Sequence, residues 1–293
     1  MSLRITDYKA NITKTPCISD SKAKWFWSQV SNFKIHRTRA GHKTHHSHDP
    51  GGTKGIGRAI VKSFLSEGAT VHFCSRTPSD VDSSVERLAL AFPDNKAIGA
   101  VVNASDPSAL KEWVASCASQ SSRIDIVVAN VSAFATRDTP EMWQSGFSTD
   151  IMSTVTLFDA ALPELKKTKG NVITISSVSG RIIDFTSHPG PYGAFKAALV
   201  HYTCQFAHKY APDGVRANSV SPGNIYIEDG VFGEIEREMP EFFAEQLKQN
   251  PLGRMGKAEE VADACVFLAS TKAGFITGSN MLVDGGLSLG VQF

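Results

Sequence analysis

From Gly51 onward the chain alternates short apolar runs with segments of helical periodicity, and this alternation restricts the possible folds more than any other feature. Residues 70–74, 97–102, 124–129 (IDIVVA), 171–175, 215–220 and 280–283 read as strands. Helical spacing falls between them, at about 58–67, 83–92, 108–116, 142–165, 192–210 and 259–268. In the first helix Ile60, Val61, Phe64 and Leu65 fall on one face, and Gly68 stands where a helix stops. Strands that are apolar almost throughout need both faces covered, which is the condition of a parallel sheet between helix layers. The expected fold class is therefore α/β, one domain built on a doubly wound parallel sheet with helices on both faces.

Composition narrows the functions such a fold can serve. The chain has 293 residues, 42% of them hydrophobic, and a formal net charge of +1, so neither a highly basic nor a highly acidic partner is implied. The longest apolar stretches, such as 264–269, fall well short of the roughly 20 residues of a membrane span. Residues 1–10 hold Arg4, Asp7 and Lys9 with no apolar segment, so no secretory leader is expected. Five scattered cysteines form no C-x-x-C pair, which argues against a disulfide scaffold or structural zinc and for a reducing, cytoplasmic setting.

Residues 1–49 differ in texture: basic, rich in histidine and without a sustained period, they read as an irregular appendage to a domain spanning 50–293. The first fifty positions hold nine Lys/Arg against three Asp, and five of the nine histidines. His42, His45, His46, His48 and Asp49 are metal-ligating types, but no periodic element fixes them, so the reading is a solvated loop and no metal. Nine cations with no helix pattern to array them also make a poor nucleic-acid reader, so no nucleic-acid partner is expected.

Three motifs carry chemistry. In Gly51-Gly52-Thr53-Lys54-Gly55-Ile56-Gly57, just before a helix, glycines permit close backbone approach and the helix start attracts an anion, although such clusters also mark ordinary turns. After the next strand comes Arg76, where an acid would bind the ribose diol of NAD and an arginine accommodates the extra phosphate of NADP. With Lys54 as a second cation this favours NADP(H), unless both are plain surface charges. Tyr192 and Lys196, at i and i+4, share a helix face, so the ammonium stabilises a phenolate and readies the phenol as an acid/base for alcohol–ketone chemistry. Ser177, in the Ser-Ser-Val-Ser run at a strand end, can hydrogen-bond a substrate oxygen, with Ser179 as the alternative.

In order and spacing, Gly51-x-x-x-Gly55-Ile56-Gly57, Ser177, Tyr192-x-x-x-Lys196, Pro222-Gly223 and Val283-Asp284-Gly285-Gly286 resemble the short-chain dehydrogenase/reductase family over about 51–290. The resemblance implies one Rossmann-type domain with a seven-stranded parallel sheet. It implies hydride transfer between NADP(H) and a small ketone or secondary alcohol, with Tyr192 as acid/base. Lys196 would assist the phenol and hold the nicotinamide ribose, and Ser177 would polarise the carbonyl. Asn130 would line the cofactor, Asn103 would meet the adenine, and Pro222, Gly223 and Ile225 would lie by the carboxamide. A homodimer or homotetramer packed through the two long helices is likewise implied.

The chain departs from the family pattern in four places. Asp150 stands where the family usually has the catalytic asparagine, the N-N-A-G segment has become Ala129-Asn130-Val131-Ser132, and Ile227 replaces a threonine. The fourth departure is the first strand: residues 40–50 offer no strand-like run before the glycines. Burying these histidines in a sheet would cost several kcal/mol. Either a segment around 32–35 is recruited poorly, or the first fifty residues are foreign to the domain; the second is the expectation, with a weakened cofactor site. The rival function is thus a catalytically silent binding protein of the same fold. Between about 224 and 250 lies a lid with Tyr226, Phe232, Phe242 and Phe243 and seven acidic residues. The aromatics either line a pocket or pack the lid down, while the acids disfavour an acidic carrier protein.

Overall fold

In a computed structural model the described residues are 36–40 (as backbone), 52–183 and 190–291. The strands, in chain order, are β1 His36–Ala40, β2 Thr70–Ser75, β3 Ala97–Val101, β4 Ile126–Ala129, β5 Asn171–Ile175, β6 Arg216–Pro222, β7 Ile225–Tyr226, β8 Gly256–Lys257 and β9 Asn280–Val283. The helices are α1 Gly55–Ser66, α2 Pro78–Ala91, α3 Pro107–Ser121, α4 Pro140–Gly146, α5 Ser153–Thr168, α6 Pro191–Tyr210, α7 Val231–Glu238, α8 Pro240–Lys248 and α9 Ala258–Ala269.

Seven strands form one sheet in the order β3-β2-β1-β4-β5-β6-β9, every pairing parallel. The chain winds outward from β1 to β3, returns to β4 on the other side of β1, and winds outward again. A crevice opens beyond the carboxyl ends of the strands where this order reverses, which is where ligands bind in such sheets. The short pair β7–β8 lies outside the main sheet.

The strands form where both faces can be covered. β4 and β5 are buried at every position, and their side chains alternate between two layers. Ile126, Val128 and Ile173 join Ile60, Phe64 and Leu65 of α1 and Val261 and Leu268 of α9. Val127 and Val172 join Leu110 and Val114 of α3, Leu157 and Phe158 of α5, and Phe206 of α6. The expected doubly wound architecture is thus present, and the strand segments lie where the apolar runs put them.

The first strand differs from expectation. Its slot between β2 and β4 is filled by His36–Ala40, with Thr38 registered on His72 and on Val127. The strand is therefore present, and what is atypical is its sequence, HRTRA. A parallel ladder is made by main-chain N–H and C=O groups, which every one of these residues supplies, so pairing does not require an apolar run. The histidine cluster and Gly51 lie outside the described residues, as do 184–189.

Two further elements depart from the periodicity. The single long helix expected at 142–165 is instead α4, a π-helical turn at Phe147–Met152, and α5. In this widened stretch the carbonyls of Thr149 and Asp150 accept from the hydroxyls of Ser153 and Thr154, the latter at 2.8 Å. The segment expected as a lid, about 224–250, contains two helices, α7 and α8, that the sequence pattern does not reveal.

Phe158 is fully buried, stacks against Tyr202 at 6.0 Å and meets Phe206 at a tilt, 5.1 Å between ring centroids. Phe158→Ala should lower the unfolding free energy in urea by about 3–5 kcal/mol, with near-wild-type coenzyme binding in the folded fraction.

Candidate active site

The glycine turn runs into α1 at the carboxyl end of the sheet. Gly55 has φ +55°, a left-handed conformation that costs glycine nothing and strains other residues, and the helix begins there, three residues earlier than the apolar pattern indicates. Lys54 precedes it in extended conformation with no side-chain cap, so the first amides of α1 remain available to an anion. Thr53 is fully buried, and neither its Oγ1 nor the Oγ of buried Ser75, at the end of β2, has a hydrogen-bond partner among the described residues. Two orphaned hydroxyls beside an open helix start fit a phosphate-bearing dinucleotide that would satisfy them. Lys54 Nζ lies 3.2 Å from Asp80 Oδ1 in the first turn of α2, and Arg76 occupies the turn between β2 and α2. The Lys54–Asp80 pairing was not legible in the sequence, because the partners meet only through the β2–α2 turn.

Asn103, just past β3, is exposed and its Oδ1 accepts from the Ser105 amide at 3.2 Å. Asn130, just past β4, is buried and faces the crevice.

The pair expected to serve as acid/base is carried by α6. Pro191 opens the helix, and Tyr192 and Lys196 follow one turn apart, with Lys196 Nζ 5.6 Å from the Tyr192 ring centroid. Lys196 is 3% exposed, donates to the Ile175 carbonyl at 3.4 Å, and approaches Asp150 Oδ1 to 3.1 Å. That approach is an ion pair rather than an aligned hydrogen bond, since Oδ1 has no hydrogen-bond partner among the described residues. Asp150 Oδ2 accepts from the Ala133 amide at 2.7 Å. The π-helical turn thus brings Asp150 behind Lys196, as a buried counter-charge rather than a cavity-lining group.

Ser176 and Ser177 at the end of β5 do different things. Ser176 Oγ is buried and donates to the Lys196 carbonyl at 2.7 Å. Ser177 Oγ accepts from the Ser179 amide at 3.1 Å, which leaves its own proton for a ligand oxygen. The serine turn sits directly on α6: a Cβ on Gly193 would lie 2.6 Å from the Ser179 carbonyl oxygen, and one on Gly180 would lie 2.6 Å from the Ala197 amide. Only glycines allow this approach, and it seats the serine turn on the helix that carries Tyr192. Phe134, which the sequence motifs did not flag, meets the Tyr192 ring edge-on at 5.2 Å and adopts φ +49°, a strained value for a bulky side chain.

The remaining wall is the Pro222–Gly223 turn, backed by the Asp284 loop. The Gly223 amide donates to Val283 O at 3.0 Å, and Asp284 accepts from the amides of Gly286 and Ser288 at 3.0 and 2.9 Å. A cavity of about 730 Å³ joins Asn130, Ser177, Tyr192, Lys196, Gly223 and Ile225. Gly55, Ile56, Pro222 and Ser179 also line it, whereas Thr53, Lys54, Gly57, Arg76 and Asn103 do not.

The sequence signature of the family described as "Enoyl-(Acyl carrier protein) reductase" matches residues 51–288. The chain is 38% identical over 247 residues to isoepoxydon dehydrogenase patN of Aspergillus clavatus, covering 83% of this chain and 94% of that protein. The chain belongs to the short-chain dehydrogenase/reductase family. It is 36% identical to L-fucose dehydrogenase of Mus musculus over 250 residues, 82% of this chain and 87% of that one. A solved short-chain dehydrogenase/reductase from Serratia marcescens BCRC 10948 superimposes with a TM-score of 0.75 at 26% identity, over 87% of this chain and 99% of that one. As a family member the protein is an oxidoreductase acting on CH–OH and C=O groups. Among the described residues no helix is long and apolar enough to cross a membrane.

Gly193→Val should push the serine turn off α6 and lower turnover by on the order of 100-fold, since a displacement of about 1 Å suffices for that. Coenzyme titration by fluorescence quenching should stay near wild type.

Proposed function

We propose that the protein interconverts a ketone and a secondary alcohol with NADP(H), using Tyr192 as the acid/base. The observation that carries this reading is a single cavity onto which Tyr192, Ser177 and Lys196 converge with the expected coenzyme-side residues Asn130, Gly223 and Ile225. The printed names of the relatives, dehydrogenases of isoepoxydon and of L-fucose, support alcohol–carbonyl chemistry. A nicotinamide coenzyme, when bound, supplies or accepts the hydride.

The chain's own residues handle the oxygen and its proton. In the reductive direction the Ser177 hydroxyl donates a hydrogen bond to the carbonyl oxygen, and the Tyr192 hydroxyl delivers the proton to the oxygen as charge develops there. The Lys196 ammonium stabilises the phenolate left behind, and Asp150 keeps that ammonium compensated and fixed in direction. In the oxidative direction Tyr192 takes the alcohol proton by the reverse path. Thr53, Gly55, Ile56 and Gly57, with the preceding Gly51, would cradle the pyrophosphate at the start of α1. Asn103 would meet the adenine, while Pro222, Gly223 and Ile225 would flank the carboxamide.

The preference for NADP(H) rests on Lys54 and Arg76, at the β2 end where the adenosine ribose lies in this fold. Asp80, the nearest acid, is already ion-paired with Lys54. The scattered cysteines, with no C-x-x-C pair, are in keeping with a cytoplasmic setting. Trp143, Phe147 and Met152 are exposed on α4 and the π-helical turn, which supports assembly through these helices as a homodimer or homotetramer.

Tyr192→Phe should reduce turnover by on the order of 10²- to 10⁴-fold while NADPH still binds. Full turnover in this variant would show that another group moves the proton. Absence of NADPH binding by the wild-type chain at millimolar concentration would favour the silent binding protein instead. Arg76→Ala should weaken NADPH by about 10- to 100-fold and leave NADH nearly unchanged; equal loss for both coenzymes would remove the arginine from phosphate recognition.

A further inference from the structure

Beside the polar side chains of Ser132, Thr136, Asn224 and Gln246, the cavity away from Ser177, Tyr192 and Lys196 is lined by apolar side chains of three segments. Ile182 and Ile183 follow the serine turn, Ile227 follows the Pro222–Gly223 turn, and Phe232, Ile235 and Phe242 come down from α7 and α8. Among the described residues lining the cavity, Lys196 alone carries a formal charge, and Asp150 at 3.1 Å balances it. The lid acids are placed elsewhere: Glu236, Glu238, Glu241 and Glu245 are exposed on the outer side of α7 and α8, and Tyr226 donates to Glu236 at 2.5 Å. Four exposed carboxylates against Arg237 and Lys248 leave the outer face of the lid net negative, which repels an approaching anion, and among the described residues lining the cavity it would meet no uncompensated cation.

Resting on the oxidoreductase reading above, we infer that the substrate is an uncharged carbonyl or alcohol with an apolar body, presented free rather than on an anionic carrier. Its oxygen sits between Ser177 and Tyr192, and its carbon body extends under the lid against Ile227, Phe232, Ile235 and Phe242. Specificity then comes from the lid rather than from a salt bridge. Each methylene buried there should raise kcat/KM about fourfold, and a terminal carboxylate should lower it by on the order of 100-fold.

The experiment uses the full chain saturated with NADPH and two matched series: methyl ketones from butanone to octanone, and keto acids of the same lengths. A rise along the neutral series with the acids far below it is the expected result. Ile235→Arg should raise kcat/KM for the longer keto acids about tenfold and depress the neutral series, with NADPH affinity as the folding control. Equal rates for ketones and keto acids, or no dependence on length, would overturn the inference.

Binding of the neutral fluorescent naphthyl ketone prodan, against its carboxylated analogue, gives a readout that needs no turnover. Tight binding of prodan alone, with no ketone or alcohol turned over, would uphold the apolar neutral pocket and sink the oxidoreductase reading. Failure to bind prodan, or equal binding of both probes, would sink the pocket assignment while leaving redox activity on another substrate class open to the same assay.

Discussion

A lysine ammonium with 3% exposure is tolerable only if its charge is met inside the protein, and the active centre is arranged around that requirement. Lys196 is met by Asp150 at 3.1 Å and by the Ile175 carbonyl at 3.4 Å. Asp150 is itself held by the Ala133 amide, and the Lys196 carbonyl takes the Ser176 hydroxyl. One buried charge therefore ties together the end of β5, the loop after β4, the π-helical turn and α6. Removing either member of such a pair leaves an uncompensated charge, at a cost of about 3–5 kcal/mol. The carboxylate in place of an asparagine adds a full counter-charge behind the ammonium, so the site gains electrostatic rigidity where a neutral amide would only accept and donate hydrogen bonds.

That arrangement explains which parts of the site could be seen in the sequence. Tyr192 and Lys196 are one helical turn apart, and their proximity follows from helix geometry alone. Ser177 follows from the end of a strand whose five residues are all buried. Asp150 was placed by its motif position, but not its pairing with Lys196, because the widened turn that delivers it has no periodic signature. Phe134 and the pairing of Asp80 are not legible for a related reason: each meets a residue distant in sequence, Tyr192 in one case and Lys54 in the other. The lid helices α7 and α8 rest on a cavity instead of on the sheet, so their few apolar positions stand among many acids.

The first strand shows the converse limit. In a doubly wound sheet, β2 and β4 each need a partner on their inner edge, because unpaired main-chain groups there would lie between two helix layers. The slot is filled by whatever backbone can reach it, and HRTRA does so in continuous parallel register with both neighbours. Apolar patterning identifies strands whose side chains help to hold them in place. It says little about a strand held by its position between two committed neighbours. The eleven residues 41–51 between this strand and Gly52 are also the place where the chain differs most from the family pattern of a strand running directly into the glycines.

The same electrostatics links the buried pair to the lid. Within a low-dielectric cavity a balanced ammonium–carboxylate pair presents little net field to an approaching molecule, whereas an unbalanced cation would attract anions directly onto Tyr192. Balancing Lys196 from behind compensates the one formal charge among the described residues lining the cavity, and on the inference drawn above discrimination would pass to the shape and apolar character of Ile227, Phe232, Ile235 and Phe242. In the proposed reaction the electrostatic change would then be the charge that develops on the substrate oxygen and passes to Tyr192 with the proton. In the proposed reaction the Ser177 proton and the Tyr192 hydroxyl would meet that change, and interactions that strengthen only as charge develops lower the barrier rather than merely tightening binding. A neutral pocket and a compensated lysine are thus two consequences of one placement, the carboxylate of Asp150 behind the ammonium of Lys196.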